Sequence, residues 1–309
     1  MDLRLRGNKH GEMSLTQERL GLALGALGML AFSGTLPATR IAVPTLGPAI
    51  LTFGRIEVAA LFGILTLLLM RQRIPPRRYW AGLLWMGTGL AIGYPLFIAL
   101  ALRDVPAVHG SVIIGLAPGA TATLAVLRAG ERPQRCFWIA CAAGLSAIAA
   151  FAYYEGGGAI SAADGWLGLG ILSVAVAYVE GGRVSRDLGG TIALCWAMVA
   201  LVPIAAIPCG LALWRHDWSV AANPASAWIA FAYAAVISMF FGSVAWYRGL
   251  ALGGIARVGQ LNLVQPLFAL LWSALLIGEH IGIAAALCAM VVVAAMLVCI
   301  RSRISRPVG

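Results

Sequence analysis

Charge is scarce in this chain. Asp, Glu, Lys and Arg together make up only 11% of its 309 residues, while 61% are hydrophobic; a typical soluble domain carries roughly 25% charged residues. A water-soluble fold of this length would need far more polar surface to cover its core. No long polar stretch is present that would fold as a separate soluble domain. Catalytic signatures are missing too. Without a GxxxxGK[ST] phosphate loop, ATP drive within the chain has no support. Neither HExxH, nor DxxxD, nor a close pair of spanning carboxylates occurs, which leaves an integral-membrane lipid-modifying enzyme without its chemistry. The six cysteines (Cys136, Cys141, Cys195, Cys209, Cys288, Cys299) form no CxxC or metal-type spacing. They fall in or beside apolar segments, where packing is their ordinary role. The reading is therefore of a protein that is not an enzyme and uses no metal or cofactor.

What the chain has instead is apolar runs, each close to the ~20 residues that a bilayer-spanning helix needs. They lie near 20–39, 49–70, 79–101, 106–128 and 134–153, then near 165–184, 190–214, 226–247, 255–278 and 281–300. They do not alternate apolar with polar residues as barrel strands do. The expected fold is an all-α membrane protein with ten transmembrane helices. Residues 1–19 form a mixed-charge segment; the apolar stretch after them reaches about Thr39, too long for a signal-peptide core, and reads as a retained first helix.

The basic residues are distributed unevenly. Of 22 Lys and Arg, 18 fall at the N-terminus, in alternate connections and in the 301–309 tail. The other set of connections holds only Arg40, Arg103 and Arg215, and Arg55 lies inside a span. That asymmetry is a positive-inside signal and puts both termini in the cytoplasm, with the chain in a bacterial-type inner membrane. The net charge of +10 is then a topology device with some attraction for anionic lipid, and no nucleic-acid partner is expected.

The two halves resemble each other. ALRDVPAVHGSVIIGLAPGATATLAVLRAGERP begins at Ala101, and LALGGIARVGQLNLVQPLFALLWSALLIGEHI begins at Leu250. One constant offset aligns Leu102 with Leu250, Pro118 with Pro266, Gly130 with Gly278 and Glu131 with Glu279. A weaker echo joins Gly28-Met-Leu to Gly170-Ile-Leu and Gly47 to Gly189. Five helices per copy is an odd number, so the second copy enters the membrane from the opposite face. Inverted repeats of this kind underlie alternating access.

These elements (Ala101-Leu102, Ala107, Pro118 and Gly130-Glu131-Arg132, then Pro266 and Gly278-Glu279-His280) resemble the EamA type of the drug/metabolite transporter superfamily, as does Arg55 near the start of the second span. The second half has Trp196 and Ala197 where a matching Arg would stand. The resemblance covers roughly residues 20–300. It implies two five-helix repeats, 20–153 and 165–300, around a cavity lined by helices 1, 3, 4, 6, 8 and 9. Within that superfamily, amino-acid exporters, the aromatic amino-acid type among them, are similar in length and layout.

Polar groups inside a bilayer are costly and should face a cavity or a partner. The spans contain two acids, Glu57 and Glu180. Arg55 and Glu57 are two apart and face different sides of a helix. Both read as anchors, with Arg55 snorkelling toward the interface. Glu180 stands one turn before Arg183; an i,i+3 ion pair is the plain reading and a gate the sharper one. His109, at the outer end of the fourth span, would couple transport to protons only with a second ionisable partner. Gln260, Asn262 and Gln265 precede Pro266, which deprives the Asn262 carbonyl of its helical donor; Pro118 does the same to Ile114. Amides there suit the amino and carboxylate groups of a zwitterion, or serve as helix glue. Tyr94 and Tyr178 sit deeper than the interfacial belt that explains Trp80, Trp138 and Trp228. Trp246 and Ser33 complete the expected substrate-binding set, with Pro118, Pro266 and Glu180 as hinge or gate.

The function expected is secondary transport of small metabolites, amino acids in the first place, outward across the bilayer, by a monomer or homodimer. A broad-range drug carrier or a nucleotide-sugar carrier is the nearest alternative.

Overall fold

The computed structural model describes residues 3–129, 132–133, 135–155, 161–219, 224–253, 258, 260–301 and 304–305. The architecture is helical throughout, apart from a two-residue antiparallel pairing of Arg132 with Ser305 and Pro133 with Ile304. Large apolar side chains such as Leu68, Leu69, Ile207, Ile229, Leu275 and Ile283 point outward, a surface suited to lipid and not to water. Five stretches are long and apolar enough to cross a bilayer: Arg19–Leu69, Arg77–Ala101, Ala162–Leu188, Gly190–Trp214 and Ala225–Leu252. The first is 51 residues long. At ~1.5 Å per residue it exceeds twice the ~30 Å of a hydrocarbon core.

That first stretch divides. Helix α1 (Leu3–Ser33) gives way at Gly34 to α2 (Thr35–Ala49). A Cβ at Gly34 would lie 2.4 Å from the Tyr233 hydroxyl, so the close approach of that ring requires glycine. The helix runs well past Thr39, where the apolar pattern places its end, because Ala42, Val43 and Leu46 are buried against the segment around Ala227 and Ala230. The chain then turns at Gly47, at φ 70°, which only glycine adopts without strain. One π-helical turn, Ile50–Gly54, leads into α3 (Arg55–Leu69).

The following helices are α4 (Trp80–Gly87), α5 (Tyr94–Ala101), α6 (Ala107–Ile114), α7 (Ala117–Ala129) and α8 (Arg135–Glu155). Then come α9 (Ala162–Leu188), α10 (Gly190–Trp214), α11 (Ala225–Ala232), α12 (Ser243–Gly253), α13 (Gln265–Ile277) and α14 (Ile283–Arg301). A π-helical segment, Thr88–Gly93, joins α4 to α5, and another, Tyr233–Gly242, joins α11 to α12. Gly189, at φ 83°, makes the tight link from α9 to α10.

Packing pairs helices from opposite ends of the sequence: α1 with α12, α4 and α5 with α9, α3 with α10, α6 with α13, and α8 with α14. Gly89 and Gly93 let one such pair close. A Cβ at Gly93 would stand 2.5 Å from the Ser173 Oγ of α9. Two large apolar cores result. One gathers Ile56, Leu83, Met86, Leu194, Met198, Trp246 and Tyr247; the other gathers Leu36, Ile98, Leu102, Val112, Leu167 and Val292. Cys195, Cys209 and Cys288 are buried as free thiols.

Candidate functional site

Between these two cores lies a small, partly open cavity of about 40 Å³. Its walls form where helices depart from regular geometry. Phe32 and Thr35 flank the break at Gly34. Arg55, Tyr94 and Ser243 each follow directly on a π-helical segment that ends in glycine, at Gly54, Gly93 and Gly242. The wider π turn shifts the helix face relative to the preceding turns, and such insertions are frequent at functional sites. Ile114 and Ala117 lie on either side of the interruption between α6 and α7. Asn262 sits in the 3-10 turn Gln260–Leu263, and Gln265 starts α13. Pro118 and Pro266 each occupy the first turn of the new helix, where a missing N–H costs nothing. Among the described residues only α9 crosses the wall unbroken, contributing Val174 and Tyr178.

The broken segments are stitched to one another. Thr35 Oγ1 and Ser238 Oγ share a hydrogen bond of 2.6 Å. The Tyr233 hydroxyl donates to the Ala31 carbonyl at 2.9 Å, and the Trp272 indole N–H donates to Ser33 Oγ at 2.9 Å. The polar groups exposed by the kink in the first helix are thus met by the segments around 233–242 and by α13.

The expected site residues separate into groups. Tyr94, Tyr178, Asn262 and Gln265 line the cavity together. Trp246 stands behind the wall, its ring 6.0 Å from both Tyr178 and Phe32. Ser33 is wholly buried and serves the Trp272 contact. Gln260 begins the 3-10 turn, but its side chain and those of Pro118 and Pro266 lie outside the described residues. Glu180 does not line the cavity; it accepts from Arg183 at 3.1 Å, in a separate cleft shared with Arg78 and Asp187.

Arg55 departs from expectation. Instead of snorkelling, it is 4% exposed and faces the cavity, and its Nε has no hydrogen-bond partner among the described residues. The π turn before α3 aims it inward; that insertion leaves no mark on apolar periodicity. Ser238 and Ser243 were equally hard to read, being single hydroxyls in apolar runs.

His109 lies outside the cavity and has acquired the partner that its sequence context did not reveal. Its Nε2 is 2.6 Å from Asp164 Oδ1, and the two side chains are 6% and 9% exposed. Asp164 also closes a capping box with Ser161 at the start of α9. The apolar pattern begins at 165 and so leaves Asp164 out of the helix, which starts at Ala162. The Ser161-Ala-Ala-Asp164 spacing was the available signal. Nearby, Glu279 accepts from the backbone N–H groups of Ala107 and Val108 at 3.1 and 2.8 Å, capping α6, and lies 4.0 Å from Arg40 Nε. Arg40 donates in turn to the Leu102 carbonyl. The Gly-Glu-His turn singled out in the sequence is therefore a helix cap joining α2, α6 and the start of α14. Its first-half counterpart, Gly130-Glu131, lies outside the described residues. Among the described residues no cluster of His, Cys, Asp and Glu has the makings of a metal site.

Comparison with known proteins adds three findings. The model of the EamA-like transporter family matches the chain twice, over residues 19–153 and again over 162–301. A Bacillus subtilis (strain 168) protein described as the uncharacterized transporter YdeK is 43% identical over 258 residues, which span 84% of this chain and 89% of that one. A solved crystal structure superposes with a TM-score of 0.62 over 90% of this chain and 97% of the other; at 18% identity the likeness is one of fold.

Proposed function

Because the chain belongs to the EamA-like transporter family, we propose that it is a secondary carrier exporting small metabolites, amino acids in the first place, by alternating access of two inverted five-helix repeats. The observation that carries this reading is the cavity walled by helix breaks. Transporter sites form where helices are interrupted, because unwound backbone is tolerated in a membrane only when it lines a cavity.

The inverted repeat draws support from recurring irregularities. Helices α7 and α13 restart at Ala117 and Gln265, the spacing that also aligns Pro118 with Pro266. At that same spacing the π-helical segment Thr88–Gly93 falls on Tyr233–Gly242. Gly47 and Gly189, aligned by the weaker echo, both have positive φ. The double match of the family model points the same way. Ten crossings follow if Arg19–Leu69 crosses twice and the segments from Ala107, Arg135, Gln265 and Ile283 cross once each. The arginine asymmetry then puts both termini in the cytoplasm of a bacterial-type cell.

Amino acids suit the wall chemistry. Arg55 offers a cation, Asn262 and Gln265 offer amides, and Phe32, Leu90, Val174 and Met239 offer an apolar bed. A nucleotide-sugar carrier would want several basic groups, and among the described residues lining the cavity Arg55 is the one that is basic.

The test is uptake by purified protein in liposomes, using a panel of labelled amino acids with and without a pH gradient. Saturable movement of one class is expected. Asn262→Ala or Gln265→Ala should reduce it by about tenfold, one lost hydrogen bond to a charged group, with membrane insertion intact. No movement above empty liposomes, or full activity in both variants, would overturn the reading.

A further inference from the structure

A buried guanidinium without a counter-charge is an expensive object. Taking an ion out of water costs several kcal/mol even after relaxation. Arg55 is 4% exposed, forms no ion pair among the described residues, and leaves its Nε–H without an acceptor. No carboxylate stands among the described residues lining its cavity. Glu57, two positions on, faces elsewhere, and its Oε1 is itself without a hydrogen-bond partner among the described residues. The polar group that faces Arg55 from the neighbouring helix is the Tyr94 phenol.

Two other features of the same cavity favour negative charge. The N-terminal ends of α7 and α13, at Ala117 and Gln265, both open onto it. Helix N-termini carry partial positive charge and unbonded N–H groups, and attract anions. On the wall formed by the 3-10 turn, the Asn262 side chain engages the Tyr178 hydroxyl, and its buried Oδ1 has no partner among the described residues. The cavity thus has one region wanting an anion and one atom wanting a donor.

We propose that Arg55 is the substrate-anchoring residue of the carrier, holding the carboxylate of an α-amino acid with an apolar side chain, while Asn262 Oδ1 receives its ammonium group. The proposal rests on the carrier reading above. The planar guanidinium fork pairs with a carboxylate through two parallel N–H···O bonds. A carboxylate supplies both the missing acceptors and the missing charge, so the empty cavity is the strained state and the loaded one is relieved. Lysine keeps the charge but loses the fork.

The experiment uses the full chain in liposomes with labelled L-leucine, L-methionine and L-phenylalanine, each challenged by its own amide, which lacks the carboxylate. The amides should compete at least tenfold more weakly than the acids. Arg55→Met and Arg55→Gln should lose at least tenfold in uptake, with Arg55→Lys between them and the wild type. Thermal unfolding in detergent gives a second readout. 3-Phenylpropionate should raise the wild-type midpoint and leave Arg55→Met unchanged, and unliganded Arg55→Met should unfold at or above the wild-type midpoint. Amides competing as well as acids, or wild-type uptake by both neutral variants, would overturn the clasp while the carrier stands. A lowered midpoint in Arg55→Met and Arg55→Lys alike would mark a structural cation and overturn it as well. If no amino acid moves but 3-phenylpropionate still discriminates the variants, the clasp survives and the amino-acid reading falls; if neither responds, both fall.

Discussion

His109 and Asp164 meet at 2.6 Å, almost out of contact with solvent. Each removes a polar burden from the other, and Asp164 additionally caps α9 through Ser161. Removing either partner strands the remaining one in an apolar setting, beside Phe151 and the core around Leu167. A double-mutant cycle of His109→Ala and Asp164→Ala should therefore return a coupling of about 1–2 kcal/mol, within the usual range for contacting buried groups. It is measured by chemical unfolding of the purified protein. Additive effects would mean that the pair contributes nothing beyond its separate packing and cap. The pair also shows what a residue list can and cannot deliver. His109 was legible as an unusual residue in an apolar run; its partner, 55 positions away, depended on placing the start of α9 correctly. A boundary error of three residues moved Asp164 from helix to loop and took the partner away.

At the scale of elements, the irregularities carry the information. Hydropathy finds where an apolar run lies but is blind to an extra residue within a turn, so the π-helical segments before Arg55, Tyr94 and Ser243 left no trace. Proline does leave one: the interruptions ahead of Pro118 and Pro266 were legible, because the ring removes a donor and clashes with the preceding turn. Glycine was legible as a composition, 37 residues in all, and the Gly89-xxx-Gly93 spacing was legible as a place of close helix contact; which of the remaining glycines permit contact was not. The structure distinguishes them. At Gly93 a Cβ would stand 2.5 Å from Ser173 Oγ and 2.8 Å from its Cβ, whereas at Gly168, also facing its helix exterior, nothing lies within 4 Å. Gly93→Leu should cost about 1–3 kcal/mol by overpacking and disturb Tyr94 next to it. Gly168→Ala should be neutral or stabilising by about 0.5–1 kcal/mol, from helix propensity. Thermal unfolding of the two variants side by side checks the contrast. Equal effects would contradict the close packing of α9 on the Thr88–Gly93 segment.

Over the whole molecule, the all-helical membrane architecture was readable because it follows from composition and run length, both of which sum over many residues. The site was only partly readable. Tyr94, Tyr178, Asn262 and Gln265 come together in one cavity, since polar groups in apolar runs have few places to go. Ser33, Trp246 and His109 went instead to structural contacts a sequence does not reveal, and Arg55 went inward because of a local insertion. The arrangement of α1 on α12, α5 on α9 and α6 on α13 puts every wall of the cavity at a contact between the two halves of the chain. Under the proposed alternating access, a relative movement of the halves would open the cavity to one side as it closes it to the other. That is the central claim, and trans-acceleration tests it most directly. Liposomes containing the protein are preloaded with unlabelled L-leucine, L-methionine or L-phenylalanine and diluted into the labelled form. A carrier whose loaded site reorients faster than its empty one accumulates label transiently above equilibrium. The account expects that overshoot for at least one of the three. Label that merely rises to equilibrium at a rate independent of the internal amino acid would mean a passive path, and would contradict alternating access.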